Sequence, residues 1–156
     1  MKDYNEYRIK QLDRDSQTNK TLATLAGATA SLATLVTIGS YVLGNDLIAL
    51  QNMGTTAAMI GYVVGYTRKN NFNNNEKQRL IENQGKENTQ KERLIELKEK
   101  ISNIKNNIGM STTASLGFGL TTLANMAMLA EGNYMAVGAM LLSGTVTALD
   151  VLLTSK

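Results

Sequence analysis

The chain has 156 residues, with 16 basic and 13 acidic side chains and a net charge of +3. That is one domain of ordinary size. Cys, His, Trp and Pro are all absent, which removes thiol chemistry, disulfides, Cys/His zinc sites, a Ser-His-Asp triad and a histidine proton shuttle.

The charges are unevenly placed. Five basic residues lie in the first 20 positions, ten lie between Arg68 and Lys105, and the last is Lys156. Thr21–Thr67 carries only Asp46, and 106–155 carries only Glu131 and Asp150. Each apolar stretch divides at a Gly-Asn pair, giving Thr21–Leu43, Leu47–Tyr66, Ile108–Ala130 and Tyr134–Thr154, each 20–23 residues long. About 20 residues at 1.5 Å rise cross a hydrocarbon core of roughly 30 Å. The expected fold is therefore an all-α integral membrane protein: four transmembrane helices as two hairpins, joined by a charged cytoplasmic helical segment. A soluble bundle is the competing reading, but its helices would show a polar face at 3.6-residue spacing.

In chain order, residues 1–20 read as a cytoplasmic tail, although Tyr4, Tyr7 and Leu12 would share one side of a surface helix. The tail is long and carries four acids, so the first span reads as retained, not as a cleaved signal. Residues 21–67 form the first hairpin, turning at Gly44-Asn45. Within it Ala57, Gly61 and Gly65 recur every four residues, a helix-packing stripe. Gln51 and Asn52 place amides near the outer boundary.

Residues 68–107 form the linker. Asn70–Asn75 holds five Asn and one Phe, a tract poorly suited to a helix interior. Beyond it, Leu94, Leu97, Ile101 and Ile104 fall at coiled-coil spacing and lead to Ile108. Lys77–Glu82 is echoed 14 residues later by Lys91–Glu96, which aligns Leu80 with that seam. One long helix and a pair of short packed helices both fit, and a solvated charged linker is the plainer alternative.

Residues 108–155 form the second hairpin, turning at Gly132-Asn133. Gly109, Thr113, Gly117, Thr121 and Asn125 repeat every four residues along one face. Gln51, Asn52 and Asn125 share one layer of the expected bilayer. Amides in hydrocarbon need partners, so these side chains, with Thr113, Thr121 and Asp150, are either interhelical bonds or the lining of a pore. Asp150 sits close enough to the inner boundary to be solvated or to pair with Lys156. The two hairpins also resemble each other weakly, as in Thr29–Leu32 and Thr113–Leu116.

Basic loops stay in the cytoplasm, and every Lys and Arg lies on one side of the turns. The N-terminus, central segment and C-terminus are therefore expected to face inward from the cytoplasmic membrane. Lys- and Asn-rich polar segments fit an AT-rich coding genome such as that of a bacterium. No phosphate loop, carboxylate pair or metal-ligand cluster is present, so no enzyme, cofactor or metal is expected, and nucleic-acid binding has little support. The leading expectation is a self-associating homo-oligomer in the lipid bilayer that forms a pore or a holin-like permeabilising assembly. The alternative is a non-conducting adaptor subunit of a secretion, conjugation or phage-encoded complex, which docks a cytoplasmic or membrane protein partner through its central helices.

Overall fold

The computed structural model describes residues 2–82 and 90–133, together with Ala136, Gly138 and Leu141. These residues form three long helices and no strand: α1 (Lys2–Val42), α2 (Asp46–Glu82) and α3 (Gln90–Ala130). This corrects the expectation of four transmembrane helices in two hairpins. Among the described residues the fold is all-helical, with three long helices. Of the fourth expected span, only Ala136, Gly138 and Leu141 are described, and all three are helical. Asp150 lies outside the described residues.

The helices also continue well past the apolar stretches. α1 runs through the expected tail, α2 through the Asn tract, and α3 starts well before its apolar stretch. At 1.5 Å per residue these helices are about 55–60 Å long, nearly twice a hydrocarbon core. Three segments, Glu6–Val42, Asp46–Glu82 and Lys100–Ala130, are long and apolar enough to cross a membrane.

The Gly-Asn pairs stop and restart the helices. Gly44 adopts φ 72°, the left-handed conformation that only glycine enters without strain. Asn45 N–H then bonds the Ser40 carbonyl at 2.8 Å and Gly44 N–H bonds that of Tyr41 at 3.1 Å, a Schellman ending. Asn45 next caps α2, accepting from Ile48 N–H at 3.4 Å, with Asp46 in the first turn. Gly132, at φ 87°, repeats the ending through Asn133 N–H to Met128 and Gly132 N–H to Leu129.

α2 is the central helix, packing antiparallel against α1 on one side and α3 on the other, and α1 and α3 do not pack on each other. α1 buries Ala26, Ala30 and Ala33 while exposing Leu25, Leu32, Leu35 and Ile38. Small residues inside and large apolar residues outside invert the water-soluble pattern and suit a lipid exterior. The α2–α3 contact centres on Ala58, Ala114 and Phe118, flanked by Met59 and Tyr62.

Beyond the apolar zone, residues 2–20, 68–82 and 90–107 continue the three helices as a charged stalk at one end of the molecule. α1 is fixed there by buried Leu12 and Ser16. The Ser16 hydroxyl meets the side chains of Asn70 and Asn74. Arg8 pairs with Glu76 at 3.0 Å, and Lys77 with Asp13 at 2.6 Å. Asn has a low helix propensity, but here tertiary bonds to α1 keep the Asn tract helical. The expected tail is a docked helix for the same reason.

Candidate functional site

Two regions carry the functional candidates: the polar layer between the spans, and the outer side of the stalk. In the first, α2 and α3 approach until their backbones nearly touch. A Cβ built on Gly117 would lie 2.5 Å from both the Ala58 nitrogen and the Gly54 carbonyl oxygen, while one on Gly61 would lie 2.8 Å from Thr113 Cγ2. A Cβ on Gly65 would strike Met110. Gly61, Gly65 and Gly117 are thus packing residues between helices of the same chain. Gly109 has nothing within 4 Å of such an atom, and Ala57 is only half-buried. Gly54, which the every-four stripe of α2 leaves out, stands where the two backbones come closest, 2.5 Å separating its built Cβ from the Gly117 carbonyl oxygen; its signal was its position opposite Gly117 in an antiparallel pair.

That close approach lets Thr121 reach across. Its hydroxyl lies 3.1 Å from the Gln51 carbonyl, 3.2 Å from its own helix's Gly117 carbonyl and 3.4 Å from Thr55 Oγ1. Asn125 is completely buried, and among the described residues neither Nδ2 nor Oδ1 has a hydrogen-bond partner. Gln51 and Asn52 are half-buried, and the Asn52 amide donates to the Ile48 carbonyl of its own helix at 2.8 Å. Thr113 is exposed and bonds back to the Gly109 carbonyl at 2.9 Å. The six polar candidates therefore divide: Thr121 and Asn125 lie inside the chain's own packing, Gln51 and Asn52 at its margin, Thr113 on the exposed rim of the α2–α3 contact beside Gly61, and Asp150 beyond the described residues.

In the stalk, Leu94, Leu97, Ile101 and Ile104, with Ile108, are 47–62% exposed. They lie roughly half a turn around α3 from Met110, Ala114, Gly117 and Thr121, which face α2. Nothing in the described residues covers them. Leu80 is half-buried on α2 and does not join this row. With Leu94 and Ile101 at heptad a and Leu97 and Ile104 at d, the flanking e and g positions are Arg93, Lys98, Lys100 and Lys105. All four are basic, while Glu92, Glu96 and Glu99 fall at c and f. This flank pattern was legible from heptad register, although spacing of the apolar residues alone did not reveal it.

Among the described residues no group of three or more His, Cys, Asp or Glu could hold a metal ion. Compared with known proteins, the chain matches no family model, no curated protein and no solved structure.

Proposed function

We propose that this chain is a non-enzymatic membrane anchor and adaptor. Its spans hold it in the cytoplasmic membrane with the charged stalk inward, and α3 of the stalk docks a helical protein partner. The observation that carries the reading is the exposed row Leu94–Ile104 flanked only by basic residues. Apolar a and d positions ask for a facing helix, and e and g charges select which helix. A second copy in parallel would set Arg93 against Lys98 and Lys100 against Lys105; an antiparallel copy would also oppose like charges. A partner with Leu-like residues at a and d and Glu or Asp at e and g complements the row. The pore reading has less support, because Thr121 and Asn125 are turned into their own subunit.

The test uses full-length protein in detergent micelles and two labelled helical peptides with identical a and d leucines, one Glu-flanked and one Lys-flanked. Fluorescence anisotropy should give the Glu-flanked peptide an affinity about tenfold or more above the other. Leu97→Asp with Ile101→Asp should abolish its binding. Equal binding of the two peptides would overturn the reading. Leakage of ions from liposomes holding the protein would move support to a pore.

A further inference from the structure

The stalk and the apolar zone meet at a polar cleft between α2 and α3. Its volume is about 480 Å³, and its walls are Arg68, Asn71, Phe72 and Asn75 on α2 and Ser102, Asn103, Lys105 and Asn106 on α3. Residues 68, 71, 72 and 75 recur at one-face helical spacing, so a single side of α2 supplies that wall. Asn106 ties the two walls together, donating from Nδ2 to the Gly65 carbonyl at 3.1 Å. We infer that this cleft is a binding site for a phosphate-bearing anion, held between Arg68 and Lys105.

Three features favour that ligand class. First, among the described residues the lining contains two cations and no acid, and Glu76 and Asp13 nearby are each engaged by a base, Arg8 and Lys77. The charge that the described lining brings to the cleft is therefore positive. Second, four Asn and one Ser supply neutral donors around the cations, and phosphate oxygens accept several hydrogen bonds at once. Third, the cleft lies where the charge-free part of α2 ends at Thr67 and that of α3 begins at Asn106. For a chain crossing a bilayer this is headgroup depth, where basic pockets between helices hold anionic lipid headgroups. Phe72 adds an apolar surface for the glycerol or upper acyl part. A free phosphate offers the same oxygens without that apolar contact, so the experiment has an arm for each source.

The test is native mass spectrometry of the full-length protein in detergent with phosphatidylglycerol, with phosphatidylcholine, or with inorganic phosphate alone. Arg68→Gln with Lys105→Gln removes the two cations of the cleft; Arg14→Gln with Lys20→Gln removes the same charge from the exposed side of α1. Asn71→Leu with Asn75→Leu removes donors without altering charge, and circular dichroism checks that each variant is helical. Phosphatidylglycerol should bind in preference to phosphatidylcholine. Its binding should weaken about tenfold or more in both cleft variants, the loss expected when a charge-assisted contact is removed, and survive in the α1 variant. Inorganic phosphate binding without lipid, lost in the same cleft variants, would support the site with a soluble anion as its source. Equal binding of the two lipids with no phosphate binding, equal loss in the cleft and α1 charge variants, or full retention in the cleft variants would overturn the inference.

Discussion

Gly117→Ala should separate α2 from α3, and its effect can be worked from the contacts. The new Cβ would lie 2.5 Å from the Ala58 nitrogen and the Gly54 carbonyl oxygen, and 2.8 Å from Ala58 Cβ. Ordinary contact begins near 3.4 Å, so the backbones must part by the order of 1 Å, and backbone atoms cannot swing aside as a flexible side chain can. Overpacking of this kind costs about 1–3 kcal/mol. Parting the helices also stretches the Thr121–Gln51 bond, worth about 0.6–2 kcal/mol between membrane helices. Against this, Ala gains up to about 1 kcal/mol over Gly in helix propensity. The net expectation is a loss of about 1–3 kcal/mol. Gly109→Ala, with nothing within 4 Å of the added atom, should instead be neutral or gain up to about 1 kcal/mol. Reversible SDS-titration unfolding in mixed micelles, followed by circular dichroism, measures both. Equal midpoints for the two variants would refute the close-crossing account of α2 and α3.

In the stalk, Leu12→Ala should lose about 2–4 kcal/mol in the same assay, whereas Asp13→Asn with Glu76→Gln should lose about 1 kcal/mol or less because both ion pairs are solvent-shared; a larger loss from the second variant would mean that charge, not burial, docks α1. Asn125→Leu should leave the protein as stable or raise its stability by about 1 kcal/mol, since it removes a buried amide that the described residues leave unsatisfied, and a clear loss of stability would reveal a partner for that amide. The absence of Cys makes single-cysteine variants unambiguous: Ile101→Cys in membranes should form little intersubunit disulfide, and adding Lys98→Glu with Lys105→Glu should increase it by turning like-charge e–g pairs into opposite ones. Strong crosslinking before those charge changes would show that the basic flanks do not keep copies apart.

Much of this architecture was legible because bilayer physics acts on composition. Apolar stretches of the required length and the Gly-Asn turns follow from local rules, and the first turn falls where those rules put it, although α1 and α2 each run well past the expected span. Helix continuation through the tail and the Asn tract was not legible, because it depends on contacts remote in sequence, whereas on α3 the row from Leu94 to Ile108 already allowed one continuous helix. Asn70 and Asn74 look like helix breakers until Ser16, more than 50 positions away, bonds them. The candidate site divided along the same line. The exposed row on α3 could be read from period alone. The inward turn of Asn125 and the crossing at Gly54 required the relative rotation of two helices, which an every-four stripe leaves undetermined.

The continuity of α3 gives the molecule a mechanical property. From Leu94 in the stalk to Asn125 among the spans is 31 residues, about 46 Å of uninterrupted helix, with no proline to act as a joint. Any grip that rotates the stalk end must therefore turn the buried end in the same sense, as a key turns its bit. Because α3 packs on α2 and not on α1, the seam that such a turn loads first is the glycine-lined one, where the two backbones have the least room to slip.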